Sequence, residues 1–461
     1  MSGPVDEQGV DVIVVGLGPA GEAAAGQLAE AGLNVVGIEG GLVGGECPYW
    51  GCIPSKMMIR AANALAEVGR VDGLAGRASA TPDWTPVAAR IRGQATDDWD
   101  DTVAVDRLVG KGGTFVRGYA RITGPGTVEA NGVSYQAARG IIVATGTLAA
   151  VPPIPGLADS PFWTNHHIVE AKELPQSMIV LGGGAIGAEL GQATSRFGVK
   201  VTVVEALDRL LPRNEPEAAQ VLQDVFAAER IDVRVGHSAT EVSYADEQFT
   251  LTLDDGSELT AEKLLVAVGR TTKLGELGIG ELGLDPRSRF LSTDDRMRVV
   301  GQDGLWAVGD IAGDGLFTHL GIRQATVAAQ DILGLDPEPL NLAALSAVTF
   351  TDPEVGAVGL TEAEAIEQGL SVGAVVQQVG HTARGWLHAA GNEGVIKLVV
   401  DTDRDIVVGA TSVGPHGGEV LGLLSLAVHA EIPVRTLRSM IYAYPTFHKG
   451  IEDALSQLGA A

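Results

Sequence analysis

Cys47 and Cys52 are the only thiols in the 461-residue chain. They lie within Gly44-Gly45-Glu46-Cys47-Pro48-Tyr49-Trp50-Gly51-Cys52-Ile53-Pro54-Ser55-Lys56. Thiols this close in sequence can cycle between dithiol and disulfide. An ideal helix would separate their Cα atoms by roughly 7.5 Å along its axis, beyond the about 4.4–6.8 Å that a disulfide tolerates. Bonding therefore requires a distorted turn, which Gly51 and Pro54 permit, and a disulfide closed over so short a loop is easily reduced. A helical run from Met57 to Val68 follows, and a position near a helix N-terminus favours the reactive thiolate. Two other readings of the residues stay open, a pair of buried free thiols and two ligands of a metal site. The metal reading lacks further soft ligands at Cys-X-X-Cys or paired-His spacing, so no metal centre is expected.

The elements that must position such a pair occur twice. Val12–Val15 reads as a short buried strand running into Gly16-Leu17-Gly18-Pro19-Ala20-Gly21. An alanine-rich helix follows to about Ala31, then a strand, Asn34–Ile38, that ends at Glu39. The pattern returns as strand Met178–Leu181, turn Gly182-Gly183-Gly184-Ala185-Ile186-Gly187, helix Ala188–Phe197 and strand Lys200–Val204, ending at Glu205. Each acid follows its first glycine by 23 residues. The first glycine makes the tight turn, the second lets the backbone approach a pyrophosphate, and the third lets helix and strand pack closely. The pyrophosphate would sit on the N–H groups of the helix N-terminus. Two dinucleotides are expected, with Glu39 and Glu205 accepting hydrogen bonds from a ribose diol. Glu205 would repel a 2′-phosphate, so the second site should prefer NADH to NADPH; Arg209 and Arg213 close behind it would soften that preference. The first copy feeds directly into the cysteine pair, which marks it as the flavin side.

The first nucleotide unit closes at Val143-Ala144-Thr145-Gly146 and the second at Val266-Ala267-Val268-Gly269-Arg270, making Thr145, Gly146 and Gly269 candidate cofactor contacts. The expected fold is α/β, with two Rossmann-like dinucleotide-binding domains and a C-terminal α+β dimerisation domain. The expected boundaries are 1–155 and 276–343 for the two parts of the first nucleotide domain, 156–275 for the second, and 344–461 for the interface domain. Glycine is abundant, at 62 residues against an average usage of about 7%. The formal net charge of −26 argues against nucleic acid or anionic lipid as the main partner. Met1–Val10 lacks the basic start and apolar core of a signal peptide, and no apolar run reaches the ~18 residues of a membrane span. A cytoplasmic protein is expected, and in that compartment a cysteine pair is more often catalytic or metal-binding than structural.

With these residues in place, the chain resembles the pyridine nucleotide-disulfide oxidoreductases, most closely the group of lipoamide dehydrogenase, glutathione reductase and mercuric reductase. The resemblance is carried by Gly45–Lys56, by Gly182–Glu189, by Leu305-Trp306-Ala307-Val308-Gly309-Asp310 and by Val348-Thr349-Phe350-Thr351-Asp352-Pro353-Glu354. It implies FAD in the first site and a nicotinamide nucleotide in the second, with Asp310 on the flavin's ribityl chain. It further implies a Lys56–Glu189 ion pair beside the flavin's N5, Cys52 as the flavin-side thiol and Cys47 as the interchange thiol. NAD(P)H would reduce FAD, reduced flavin would open the disulfide, and the dithiol would reduce an acceptor, in a homodimer whose active site is shared across the interface.

The C-terminal motif departs from this pattern. Disulfide-reducing members carry His-Pro-Thr, with a glutamate five residues after the His; here Ala443-Tyr444-Pro445-Thr446-Phe447-His448-Lys449 puts Tyr444 and Lys449 at those places. Tyrosine, with an ordinary pKa of about 10, is a poor general base at neutral pH. His448 and Glu452, four apart on a helix expected to begin after Pro445, offer a shifted acid/base, set against the plainer reading of a solvated helix face. The second cysteine pair that mercuric reductases use to deliver metal cannot exist here. Glu46, where threonine is common, and Arg270-Thr271-Thr272-Lys273 are smaller departures with no derivable role. The expected activity is disulfide–dithiol oxidoreduction with NAD(P)H, the alternative being reduction of quinones or other small acceptors.

Overall fold

A computed structural model describes residues 7–459. Residues 1–6 and 460–461, which include most of the stretch read above for an export signal, lie outside the described residues. The chain divides into two compact units, one made of Met1–Pro54, Ala89–Ala149 and Arg270–Leu340, the other of Ser55–Ala88, Ala150–Gly269 and Asn341–Ala461.

The first unit is built on Glu7–Val15, which pairs in parallel with Val35–Glu39 on one side and Val133–Val143 on the other. Thr114–Arg117 continues the parallel order beyond Val35–Glu39, and Leu305–Ala307 pairs in parallel with Val133–Val143. Thr127–Ala130 and Arg121–Gly124 add antiparallel strands at the far edge. The central run Val12-Ile13-Val14-Val15 is buried throughout, as a strand covered on both faces must be. Val12 and Val14 pack with Ala24, Leu28 and Ala328, while Ile13 and Val15 pack with Ile122, Ile141 and Val143. Helices Pro19–Glu30 and Thr318–Ile332 contribute most of the alanines buried with Val12 and Val14, and these small side chains let the two helices lie close.

The second unit holds a parallel sheet in the order Asp232–Val235, Lys200–Glu205, Ser177–Leu181, Lys263–Val266. A three-stranded antiparallel sheet, Ala239–Ala245, Gln248–Leu253 and Glu258–Ala261, accompanies it. The C-terminal part is a five-stranded antiparallel sheet covered by helix Gly417–His429. Its strand Val395–Asp401 carries Lys397, whose side chain is only 3% exposed. Lys397 meets Glu215 at 3.0 Å, Glu217 at 2.9 Å and Glu362 at 2.7 Å. Burial alone would lower the lysine's pKa, but hydrogen bonds to Glu362, Glu217 and Glu215 outweigh it and raise the pKa above the ordinary value. The cluster joins this sheet to the start of helix Pro216–Ala228. Among the described residues no helix is long and apolar enough to cross a membrane.

Candidate active site

Both glycine turns form where the spacing puts them. In the first, a side chain on Gly16 would meet the Ala144 carbonyl at 2.6 Å and the Thr145 Cα at 2.8 Å, and one on Gly21 would fall 1.9 Å from the Gly16 oxygen. In the second, Gly182 faces the Ala267 carbonyl at 2.5 Å and Gly187 the Gly182 oxygen at 1.9 Å. The middle glycines differ in kind. A Cβ on Gly18 or Gly184 would meet nothing within 4 Å, so each turn leaves open space over the helix start. No side chain of the described residues caps helix Pro19–Glu30 or helix Ala185–Ser195, and their first-turn N–H groups are available to an anion. These two cradles fit dinucleotide phosphates.

The acids at the ends of the second strands have an unexpected second task. Glu39 accepts the Leu17 and Gly41 N–H groups, each at 2.7 Å. Glu205 accepts those of Gly183 at 2.7 Å and Leu207 at 2.8 Å. Each carboxylate braces its own glycine turn with one oxygen and the following loop with the other. Each oxygen still has a lone pair for a ribose hydroxyl. Arg209 is held by Asp208 and the Pro212 carbonyl.

The cysteine loop sits on the first turn. Gly44 donates its N–H to the Leu17 carbonyl at 2.7 Å, and Gly45, at φ +62°, lies so close to Gly18 that a Cβ would come within 2.9 Å of its Cα. The chain does not run as one helix through the cysteines. Cys47 lies in the short helix Glu46–Tyr49, the turn breaks at Trp50 and Gly51, and Cys52 opens the helix Cys52–Gly69. Pro54 falls in that helix's first turn, where its missing N–H has no intrahelical partner to lose. Both cysteines are half-buried. The Cys52 Sγ is 3.6 Å from the hydroxyl of Thr318, the first residue of helix Thr318–Ile332.

The two departures that had no derivable role meet each other. Glu46 lies 3.3 Å from Arg270. Arg270 donates to the Thr147 hydroxyl at 2.7 Å and to its carbonyl at 2.6 Å, and that hydroxyl donates to Asp310 at 2.6 Å. A polar chain therefore links the neighbour of Cys47 to Asp310. Gly146 (φ +63°) and Gly269 (φ +120°) occupy backbone conformations that glycine adopts without strain.

In the second unit, Lys56 and Glu189 are paired at 2.7 Å. The other Glu189 oxygen accepts the Phe350 N–H at 2.8 Å, and the Lys56 ammonium lies 4.7 Å from the centre of the Phe350 ring. Phe350 thus holds both members of the pair, a role that its place 294 residues beyond Lys56 concealed.

The C-terminal motif also lies in the second unit. Tyr444 is exposed, and the peptide bond to Pro445 is cis. The expected helix begins later, at Lys449, with His448 as its N-cap, because Thr446 turns back to bond the Ala443 carbonyl. Glu452 pairs with Lys449 at 2.7 Å, and the His448 Nε2 faces the Thr446 hydroxyl at 3.4 Å. A His448–Glu452 dyad is not drawn together; the lysine that replaces the family's glutamate takes the carboxylate instead. Elsewhere, His237, Asp254 and Asp255 bring potential ligand atoms within 4.8 Å of one another, the one such group among the described residues. It lies at the surface, with Asp255 already engaged by Ser257.

Residues 10–331 match the pyridine nucleotide-disulphide oxidoreductase family, and residues 345–455 match that family's dimerisation domain. The chain belongs to this family. It is an FAD-dependent NAD(P)H disulfide oxidoreductase, in a mixed α/β fold with a dimerisation domain. It is 34% identical to a dihydrolipoyl dehydrogenase of Haloferax volcanii, over 98% of this chain and 97% of that one. It is also 34% identical to a mercuric reductase of Shigella flexneri, over 96% of this chain and 80% of the relative. Among solved structures, LpdA from Mycobacterium tuberculosis superposes with a TM-score of 0.86 at 25% identity, covering 98% of this chain and all of that one.

Proposed function

We propose that the chain is an NADH-preferring enzyme in which Cys47 and Cys52 form the redox pair and a small dithiol or disulfide is the substrate. The observation that carries this reading is the seating of the cysteine loop directly on the first glycine turn, Gly44 on Leu17 and Gly45 on Gly18. FAD, held by the Gly16 turn, Glu39, Thr145, Gly146 and Asp310, would supply electron transfer between nicotinamide and thiols. The rest falls to the protein. The helix start and the Thr318 hydroxyl stabilise negative charge at Cys52, leaving Cys47 to exchange with substrate. Lys56, fixed by Glu189 and Phe350, holds positive charge at a set place. Glu205, with both oxygens anchored, presents a fixed negative charge where NADPH would bring its 2′-phosphate. The dimerisation domain supports a homodimer with a shared site, and the two-cysteine composition suits the reducing cytoplasm.

Tyr444 favours a second reading, in which the acceptor is a quinone and the thiols are an auxiliary store. Lys449 and its carboxylate partners leave that motif without the family's acid/base pair. Anaerobic titration with NADH tests the main reading. The native protein should take up one more electron pair per chain than Cys47→Ser, and Cys47→Ser should lose reduction of lipoamide and other small disulfides. Equal uptake, with disulfide reduction surviving the substitution, would remove the cysteines from the mechanism. Quinone reduction alone in the native protein would select the second reading.

A further inference from the structure

The two aromatic residues inside the cysteine loop have no part in the chemistry above, and both end on one stretch of the first unit. Trp50 stacks on Trp99 with ring centres 5.4 Å apart and planes 28° from parallel. The Tyr49 hydroxyl donates to the Asp100 carbonyl at 3.4 Å. Asp101 accepts the Val43 N–H at 2.7 Å, just ahead of the cysteines. Three consecutive residues thus grip the loop at three points.

That stretch is strained. Ile91–Ala95 forms one turn of π-helix, and Asp97, Asp98 and Trp99 have φ values of +48°, +55° and +60°. No other three consecutive non-glycine residues among those described share this left-handed backbone, in which an L-residue's Cβ crowds the following carbonyl. The Trp99 Nε1–H is buried and finds no acceptor among the described residues, a further penalty. Compensation comes from Arg92, which pairs with Asp98 and lies 5.0 Å over the Trp99 ring. The Thr96 hydroxyl also bonds the Ile91 and Arg92 carbonyls. Backbone strain persists only where surrounding contacts over-determine it, often at functional sites. Here residues 99–101 all direct contacts toward the cysteine loop.

We propose that Trp99 is a positioning residue for the redox couple: its stack on Trp50 holds the reduced loop in the shape that disulfide formation needs. The proposal rests on Cys47 and Cys52 being the redox pair. With glutathione as the partner, one thiolate of the pair attacks glutathione disulfide, forming a mixed disulfide and releasing one glutathione. The second thiolate displaces the other glutathione. An electron pair and the two thiol protons leave the protein in two glutathione thiols, and one S–S bond forms for the one broken. The intramolecular displacement depends on how often the loop brings the two sulfurs together. Loss of the stack frees the dithiol more than the covalently closed disulfide, so it weakens disulfide formation.

The test is equilibration of the FAD-loaded protein, without oxygen, across a series of glutathione ratios, followed by alkylation and mass counting of thiols. Trp99→Leu should lower the equilibrium constant for disulfide formation about three- to tenfold, the usual strength of an aromatic pair, while Trp99→Phe should stay within about twofold of native. Trp50→Leu should match Trp99→Leu, and the double variant should go no further, because both remove one interaction. An unchanged constant in Trp99→Leu overturns the proposal, as do single shifts that multiply in the double variant. If Trp99→Leu loses its FAD, Trp50→Leu carries the test alone, since it leaves the strained stretch intact, and an unchanged constant there overturns the proposal. A native protein that forms no disulfide at any ratio instead defeats the redox-pair assignment itself, and the proposal with it.

Discussion

In the first glycine turn, Gly16 presses on the Ala144 carbonyl, Glu39 holds the Leu17 N–H, and the following loop returns to donate from Gly44 to the Leu17 carbonyl. In the second, Gly182 presses on Ala267, Glu205 holds the Gly183 N–H, and Leu211 donates to the Gly183 carbonyl. The backbone bonds correspond one for one, while the side chains do not. Leu17 fills the core beside Gly37, where a Cβ would meet it at 2.9 Å; at the second turn Leu210 supplies the bulk, and Gly183 would clash with it at 2.6 Å. Pro19 removes an N–H from the first helix start, where Ala185 keeps one in the second. The loops then part. One leads over Gly18 to the cysteines, the other to Glu215 and the buried ammonium of Lys397. The turn is a common cradle, and the loop beyond the acid is where the two copies differ: one carries the chain's two cysteines and the other carries none.

The strongest way to separate the two copies is Lys397→Met, which strands the buried Glu215 carboxylate and should cost the second unit about 3–5 kcal/mol. Thermal unfolding and NADH affinity should suffer while the bound flavin's absorbance is kept. Because the lysine's pKa is raised in the folded protein, its contribution is complete below the unfolded value and is lost as pH rises through the folded one. The native melting temperature should therefore lose this component only in strong alkali, and the variant should show no such loss. Next come Gly21→Ala and Gly187→Ala, each placing a methyl 1.9 Å from a carbonyl oxygen, at about 2–3 kcal/mol. The first should deplete FAD, read by its visible absorbance, and the second should weaken NADH binding with FAD retained. If both lose FAD, the two turns are not independent. Glu205→Gln removes the charge and keeps one of the two backbone N–H bonds that the carboxylate accepts, and should raise the ratio of kcat/KM for NADPH over NADH about tenfold, or about 1.4 kcal/mol. Pro19→Ala is the mildest, restoring an N–H to the first turn and tightening FAD by no more than about 1 kcal/mol, measured by titrating apoprotein.

Both turns, their strands and the positions of the acids that end the second strands were legible because local chain geometry sets them: glycine position, apolar runs and a repeated spacing within about one βαβ unit; the bracing by those acids was not. The Lys56–Glu189 pair was visible only through family resemblance, since nothing in spacing joins residues so far apart. Thr318 beside Cys52, Phe350 beneath Lys56 and Trp99 against Trp50 depend on tertiary approach and left no local signal. Glu46 and Arg270 were each noticed as unusual segments, but their pairing required the fold. At the C-terminus helical periodicity placed the helix correctly and its start too early, because a threonine side chain competing for a backbone carbonyl is invisible to a periodicity argument.

The contact of Gly45 on Gly18 leaves no side chain between the cysteine loop and the dinucleotide cradle. Ordering one backbone therefore favours order in the other, and by reciprocity the factor by which FAD binding favours disulfide closure of the loop is the factor by which that closure tightens FAD binding. Alkylation of Cys47 should slow as FAD fills the first turn, and a loop locked by its disulfide should release FAD more slowly than a reduced one. The thiols would then report cofactor occupancy, so a molecule that had lost its flavin would be marked for chemical modification before one that had kept it.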